Sequence, residues 1–398
     1  MEQGLPELRA HYALLGAPDN VQGKKLEFGH NYNARSRALM YDFFNRHFAL
    51  GISPEELIEQ DYIPLSYEEA TVWSGEYASS RPELNEAQEL KVLRGLEARD
   101  AAQMAALHNI VDAESLAEFR TIVGGWLEVV VGRGPPTAAE AAVLQPIVSA
   151  MIESAGVSGG AVPLSLPVLS QQSPTGSRGM VTGSIEWTGE ASGVIVMVAS
   201  GGNLDDQQLA AERQALMAAG LAVMTVELLG SDLTETPVTT DREAACYTLG
   251  YNYSVFAHRV HDVLTCIAAV AGIAGDAGVH LMGCGQLAGP IVATAGALCD
   301  AGMLSSIAVE TSFRFANIRE YRDVNLLPGA VKYGDLPAIL ALCAPTPLTI
   351  SESTVPEVVA AAYNAEPSAS SPRAQPEGET DFLGFWAAQW GSTETAAL

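Results

Sequence analysis

Residues Leu281–Pro290 read Leu-Met-Gly-Cys-Gly-Gln-Leu-Ala-Gly-Pro, and the organisation of the chain is clearest around them. Gly278-Val279-His280 just before them predicts the start of a buried strand, and the apolar run Ile291–Cys299 after them predicts a helix. A strand, a sharp glycine turn and a helix place the turn at the carboxyl edge of a parallel sheet. Such a turn can carry a nucleophile, cradle a phosphate or serve packing alone.

Alternating strands and helices surround this turn. Residues 193–199, 221–228 and 305–309 predict strands, and the first of these segments is a continuous apolar run, which is typical of a strand buried on both faces. Helical segments lie between these runs. The repeated units predict an α/β fold: a mostly parallel sheet with flanking helices, preceded by a helical N-terminal region.

Three regions follow one another along the chain. Residues 1–50 predict a helix, a short strand at Val21–Phe28, a loop containing His30 and a second helix. Residues 51–159 predict a helical linker region. Residues 160–398 predict the α/β domain, since the pattern changes after a glycine-rich boundary.

The end of the α/β domain has a different composition. Residues 366–380 are rich in Pro, Ser and Glu, which predicts a mobile segment. Residues 381–390 predict a short final helix.

Charge and composition argue against several classes of binding partner. The formal net charge is −26, which argues against nucleic acid or an anionic membrane as a partner. The five cysteines are odd in number and form no Cys-x-x-Cys pair, so we expect neither a disulfide framework nor a zinc site. Met1 is not followed by the basic stretch and apolar run of a signal peptide, and no apolar run reaches membrane-spanning length. No cofactor is expected.

The glycine turn lacks the residue that a nucleophile elbow needs. In the pattern G-x-S-x-G the central residue attacks the substrate, and here Gly285 occupies that position. Cys284 is displaced by one position, which changes the direction of its side chain. A cysteine nucleophile also requires a base within hydrogen-bond reach, so a structural thiol is the favoured role and a catalytic Cys284 the alternative.

The histidines do not supply a base after this turn. A triad in α/β-hydrolase order needs a histidine beyond the nucleophile, and none follows His280. His258 and His261 lie one helical turn apart but have no clear third partner, which favours a surface or hydrogen-bonding role over a metal site. His30 lies in a loop between the predicted strand and helix, where a general base could lie.

A nucleotide site is a further alternative. Gly283, Gly285 and Gly289 could cradle a pyrophosphate at the start of the helix, and Glu310 after the next strand could hold a ribose. Such a fingerprint usually follows the first strand of a domain, which this turn does not. Gly201 and Gly202, also after a strand, suit an oxyanion-type loop.

Several stretches resemble one family, the bacterial acetyl xylan esterase-like α/β-hydrolases. In the N-terminal region the resemblance lies in residues 12–20, 28–33 and 40–44, including Phe28-Gly29-His30-Asn31-Tyr32-Asn33. In the C-terminal region it lies in Tyr247–Asn252, Arg259–Asp262, the glycine turn and Leu327–Pro337. It is looser over residues 53–160.

The resemblance implies an α/β-hydrolase-like fold and a tandem arrangement of two copies. Residues 1–50 then resemble the end of a first copy, with His30 at the catalytic histidine position, while the family's serine and acid would lie upstream of Met1. Residues 160–398 resemble a degenerate second copy with Gly285 at the serine position. The implied parent activity is carbohydrate ester deacetylation, with a carbohydrate ester or an upstream hydrolase domain as partner; such proteins are often exported. We therefore expect a fragment of such an esterase or a pseudoenzyme. The alternatives are an active hydrolase that uses Cys284 and a nucleotide-binding protein that uses the glycine turn.

Overall fold

The structure is a computed structural model that describes residues 4–73, 75, 86–156, 159–169, 179–199, 206–230, 249–250, 252–377 and 384–386. Its contacts divide the chain into two compact units, Met1–Glu86 and Ala87–Leu398. This division differs from the predicted boundaries after residues 50 and 159, because apolar side chains from Ile110 onward pack into the core of the second unit. The predicted helical linker region is therefore shared between the two units.

Short helices and extended chain make up the first unit. Asn33 caps the second helix, since its side chain accepts the backbone N–H groups of Arg35 and Ser36 at 3.1 and 3.3 Å. The guanidinium of Arg37 binds the carboxylate of Glu59 through Nε and Nη2. None of the residues described in this unit is fully buried. Its helices are α1 (Gly4–Leu14), α2 (Ala34–His47) and α3 (Tyr67–Ala70).

The predicted strand Val21–Phe28 is not present. Residues 21–26 have no regular secondary structure, and a bend begins at Glu27. Every strand in the described part of the chain lies in the second unit. A lone strand leaves its backbone N–H and C=O groups unpaired, and the stretch Gly23-Lys24-Lys25 interrupts any apolar alternation.

Helices of the second unit begin at capping residues in several cases. Asp112 and Thr137 form capping boxes with the residues three positions on. A π-helical turn, Arg120–Gly124, joins two of the helices. The helices are α4 (Glu86–Leu107, starting at the boundary), α5 (Ala113–Phe119), α6 (Gly125–Val131), α7 (Ala138–Ala155), α8 (Asp206–Ala218), α9 (Val255–Val270), α10 (Ala288–Ala297), α11 (Asp335–Leu342) and α12 (Glu357–Ala365). None of the described helices is both long and apolar enough to cross a bilayer.

The strands form one eight-stranded sheet in the order β1-β2-β4-β3-β5-β6-β7-β8. The first three strands in this order pair antiparallel, and the others pair parallel. The mostly parallel sheet with flanking helices confirms the predicted α/β-hydrolase-like fold. The strands are β1 (Gly160–Pro167), β2 (Met180–Trp187), β3 (Gly193–Ala199), β4 (Leu221–Glu227), β5 (Gly278–Cys284), β6 (Ser306–Val309), β7 (Leu348–Ile350) and β8 (Arg373–Ala374).

Apolar side chains are buried on both faces of the sheet. Leu281 on β5 belongs to a large cluster that includes side chains of α9, α10 and α11. Met282, the next residue, belongs to a smaller cluster on the opposite face that also contains Ala308 and Trp386. Successive side chains of a strand point to opposite faces, so the central strands must be apolar throughout.

The sequence did not predict either edge strand of the sheet. β1 contains Pro163 and Pro167, which argue against a central strand but are tolerated at an edge. β8 lies within the segment 366–380 that was predicted to be mobile, and its two residues pair with Thr349 and Ile350 of β7. A strand of two residues is too short to show an alternation of apolar and polar residues in the sequence. Of the predicted final helix, only residues 384–386 are among the described residues, and they are helical.

Candidate functional site

The turn between β5 and α10 leaves the carboxyl edge of the sheet, as predicted. The N–H groups of Ala288 and Gly289 both donate to the carbonyl oxygen of Gly285 at 3.1 Å, which starts the helix at once. Gly285 has a φ of +92°, in the left-handed region that disfavours residues with a Cβ. It therefore combines the strained conformation of an elbow centre with the absence of any side chain that could attack a substrate.

Glu310 closes this turn from the neighbouring strand. Its carboxylate oxygen Oε1 accepts the N–H of Gly285 at 2.6 Å, and its own N–H donates to the carbonyl of Gly283 at 3.0 Å. A carboxylate near the first turn of α10 also interacts favourably with the helix dipole. The turn is thus already satisfied by a negatively charged side chain of the same protein.

The other glycines of the turn serve close packing. A Cβ on Gly283 would lie 3.0 Å from the Cα of Gly289 and 3.1 Å from the side chain of Val292. A Cβ on Gly289 would overlap the backbone carbonyl of Glu310. The spacing of Gly283, Gly285 and Gly289 is therefore accounted for by the approach of α10 to β5 and β6, without a phosphate.

Cys284 is completely buried at the end of β5, in the smaller apolar cluster with Met282 and Ala308. Burial raises the pKa of its thiol well above the ordinary value, and the nearby carboxylates of Glu310 and Glu212 raise this pKa further. A buried thiol with a raised pKa holds its proton at neutral pH, whereas a cysteine nucleophile must react as the thiolate.

The predicted site residues belong to different units of the chain, and each is described within its own unit. His30 lies in the first unit, is exposed, and makes no hydrogen bond or ion pair with any described residue. Gly201 and Gly202 lie outside the described residues. Within the second unit, the glycines of the turn and Glu310 come together.

A buried polar clamp near the carboxyl edge was not predicted from the sequence. Arg259 of α9 is fully buried; its Nε donates to the carbonyl of Leu229 at 2.8 Å and its Nη1 to Oδ1 of Asn325 at 3.1 Å. Asp262, one turn later, accepts the N–H of Leu229 at 3.0 Å. These two side chains hold both backbone groups of Leu229, just after β4. The signal was present in His258-Arg259-Val260-His261-Asp262, but its burial depends on how α9 packs.

The side chain of His261 contacts the backbone at the end of a neighbouring helix. The ring of His261 is buried, and its Nε2 lies 2.7 Å from the carbonyl oxygen of Val131. Among the residues that the structure describes, no three His, Cys, Asp or Glu side chains are grouped so as to hold a metal ion. The helical turn between His258 and His261 therefore joins α9 to the end of α6 in this region.

Two buried histidines should make the protein less stable in mild acid. Burial lowers the pKa of His261 and of His280 to about 4, against about 6.5 in an unfolded chain. Between these values the unfolded chain binds more protons, so acidification favours unfolding. From about pH 6.5 to pH 5 we expect each histidine to lower the free energy of unfolding by about 1.5 kcal/mol.

Urea unfolding near pH 7 and near pH 5 measures this loss. His261→Gln and His280→Gln should each reduce it, while His11→Gln, at an exposed position, should leave it unchanged. An identical pH dependence in all four proteins would contradict the assignment.

Comparison with solved structures finds several esterases that are similar to parts of this chain. No protein-family model matches the chain, and no curated protein sequence matches it. A methylesterase structure is 14% identical, with 75% of this chain and 68% of that chain covered and a TM-score of 0.46. A glucuronoyl esterase from Teredinibacter turnerae is 10% identical, covering 63% and 84%, with a TM-score of 0.38. Acetyl xylan esterase 1 from a Thermoanaerobacterium species is 14% identical, covering 66% and 96%, with a TM-score of 0.34.

Proposed function

We propose that this chain is an esterase-like α/β-hydrolase protein that does not catalyse serine-dependent ester hydrolysis. The observation that carries the proposal is Gly285, which has the backbone conformation of an elbow centre but no nucleophilic side chain. The parent chemistry is carbohydrate ester deacetylation: attack by a serine, a histidine base and backbone N–H groups that stabilise the oxyanion. In this chain the scaffold of that site is retained and its nucleophile is absent.

The surroundings of the turn support the same conclusion. The Glu310 carboxylate accepts the N–H of Gly285, so negative charge lies beside the position that the nucleophile of such a site would occupy. Burial of Cys284 speaks against the neighbouring thiol as a substitute nucleophile. The Glu310 carboxylate also speaks against nucleotide binding, because a phosphate would meet a negative charge instead of an available N–H group.

The proposal assigns the remaining role to binding. We propose a carbohydrate ester or a similar small ester as the ligand class, or an upstream hydrolase domain as the partner. His30 is then the remnant of a catalytic position that belongs to a first copy of the fold, and the region 160–398 is a degenerate second copy. These assignments follow the resemblance of the sequence stretches around His30 and around the glycine turn.

The expected result is a lack of esterase turnover. Purified protein should hydrolyse p-nitrophenyl acetate no faster than the buffer, because no described side chain at the turn can form an acyl-enzyme. A fluorophosphonate probe should leave the mass of the intact protein unchanged. Cys284→Ala and His30→Ala serve as matched variants and should give the same baseline.

Turnover that disappears in either variant would overturn the proposal. Loss in Cys284→Ala would identify the thiol as the nucleophile. Loss in His30→Ala would show that the exposed histidine of the first unit completes a working site.

A further inference from the structure

A groove of about 430 Å³ lies beside the N-terminus of α9. It is formed by Val129 and Val130 of α6, by described residues of the segment 249–254 and by Pro328. Its volume falls in the range of small-molecule sites in proteins. None of the described residues that line it carries a formal charge, so the lining suits a neutral ligand.

The groove lies on the carboxyl side of the sheet. Arg259, in the second turn of α9, donates to the carbonyl of Leu229, which comes just after β4. The start of α9 is therefore at the carboxyl ends of the parallel strands, from which the Gly285 turn also leaves. This is the side of an α/β sheet on which ligands bind.

Contacts within the second unit hold the walls of the groove in place. The ring of Tyr253 lies against Gly132, where an added Cβ would overlap the ring. Nε1 of Trp126 donates to the carbonyl oxygen of Pro328 at 3.0 Å, and the indole stacks on Tyr333 with ring centroids 4.8 Å apart. Walls that are fixed before binding lower the entropic cost of ordering the site around a ligand.

Two hydroxyl groups give the groove its polar character. Ser254 is 6% exposed, and its Oγ accepts the N–H of Ala257 at 3.1 Å. No acceptor among the described residues takes the hydroxyl hydrogen of Ser254, so this hydrogen can be donated to a ligand. The hydroxyl of Tyr253 likewise has no hydrogen-bond partner among the described residues, and this side chain is nearly half exposed.

The other walls are apolar and partly flat. The ring of Tyr253 and the pyrrolidine ring of Pro328 are flat surfaces, and Val129 exposes its side chain beside them. A pyranose ring matches this lining: its C–H groups pack on the electron-rich face of an aromatic ring, and its hydroxyl groups both donate and accept.

We propose that this groove binds a neutral saccharide, with a sugar ring against Tyr253 and a sugar hydroxyl accepting the hydrogen of Ser254. The inference deepens the binding role proposed above and rests on it. It selects the carbohydrate, and not an upstream hydrolase domain, as the occupant of this part of the carboxyl side.

The test is a titration of the full chain with cellobiose, followed by ligand-observed NMR. We expect saturable binding with a dissociation constant of about 1 mM, as suits a small neutral ligand. Sorbitol has hydroxyl groups but no ring to cover Tyr253, so it should bind at least about tenfold more weakly. Tyr253→Ala should weaken cellobiose binding by a similar factor. Tyr67→Ala, which removes an exposed tyrosine of the first unit, should leave binding unchanged.

Val129→Arg tests the groove from its other wall. Val129 is exposed on α6, so the longer side chain should fill the groove without disturbing the core, and cellobiose binding should fall at least about tenfold. Val143→Arg makes the same change at an exposed position of α7 and should bind as the unaltered protein does. Circular dichroism of each variant confirms that loss of binding is not loss of fold.

Absence of saturable cellobiose binding, equal binding of sorbitol, or equal binding by Tyr253→Ala and Val129→Arg would overturn the proposal. The esterase assay separates this result from the proposed function. Turnover of p-nitrophenyl acetate would overturn the proposed function whether or not cellobiose binds. An inert protein that binds no cellobiose would overturn the saccharide site alone.

Discussion

Gly289→Ala is expected to destabilise the protein by at least about 4 kcal/mol, or to prevent folding. The added Cβ would overlap the backbone carbonyl oxygen of Glu310 and lie 2.9 Å from its carbonyl carbon. A backbone group cannot rotate away as a side-chain tip can, so α10 or β6 must shift. Both elements are part of the main apolar core, and interiors of this kind are closely packed.

The matched control is Gly125→Ala, at the start of α6. No heavy atom would lie within 4 Å of that added Cβ, and the residue is already helical. Since alanine has the higher helix propensity, this variant should be neutral or more stable by up to about 1 kcal/mol. Urea unfolding of both variants measures the difference. Equal midpoints for Gly289→Ala and the unaltered protein would refute the packing role of Gly289.

Arg259→Met should lower the free energy of unfolding by about 3–5 kcal/mol. Methionine keeps an unbranched chain of similar length but removes the donors to Leu229 and Asn325. Two acceptor oxygens then remain in a region where Arg259 itself was fully buried. Leaving buried acceptors without donors costs more than the net value of the bonds that are lost.

Arg319→Met provides the comparison for this clamp. Arg319 is exposed, so the same chemical change there should alter stability by about 0.5 kcal/mol or less. Thermal unfolding followed by circular dichroism is a suitable measurement. If the two variants proved equally stable, the polar clamp would be incidental to the fold of this region.

The strands that the sequence predicted well are those buried on both faces. β3 was predicted with the bounds that the structure shows, since an uninterrupted apolar run leaves little choice of register. β1 was missed because its prolines are acceptable only at an edge, and edge position is a property of the sheet, not of the segment. The strand predicted at Val21–Phe28 is absent for a different reason. A segment with β-propensity forms a strand only when another strand pairs with it.

The sequence predicted the backbone turn of the candidate site but not the side-chain contacts around it. A strand–glycine–helix pattern was enough to predict a tight turn at Gly285. The sequence suggested Glu310 as a ribose ligand of the alternative nucleotide site and not as a partner of the turn. Only the pairing of β5 with β6 brings its carboxylate to the N–H of Gly285. Arg259 was missed for a similar reason: its burial arises from contacts with residues far away in the chain.

The two ends of the sheet have a consequence for how this protein behaves at high concentration. The outermost strand β1 carries Pro163 and Pro167, which have no N–H to offer to an incoming strand. At the other end β8 is two residues long and carries the exposed charge of Arg373. Both ends thus resist templated growth of the sheet by a second molecule, which is a common route to ordered aggregates. Self-association of the folded α/β unit should therefore use helical or loop surfaces, and leave its β-content unchanged.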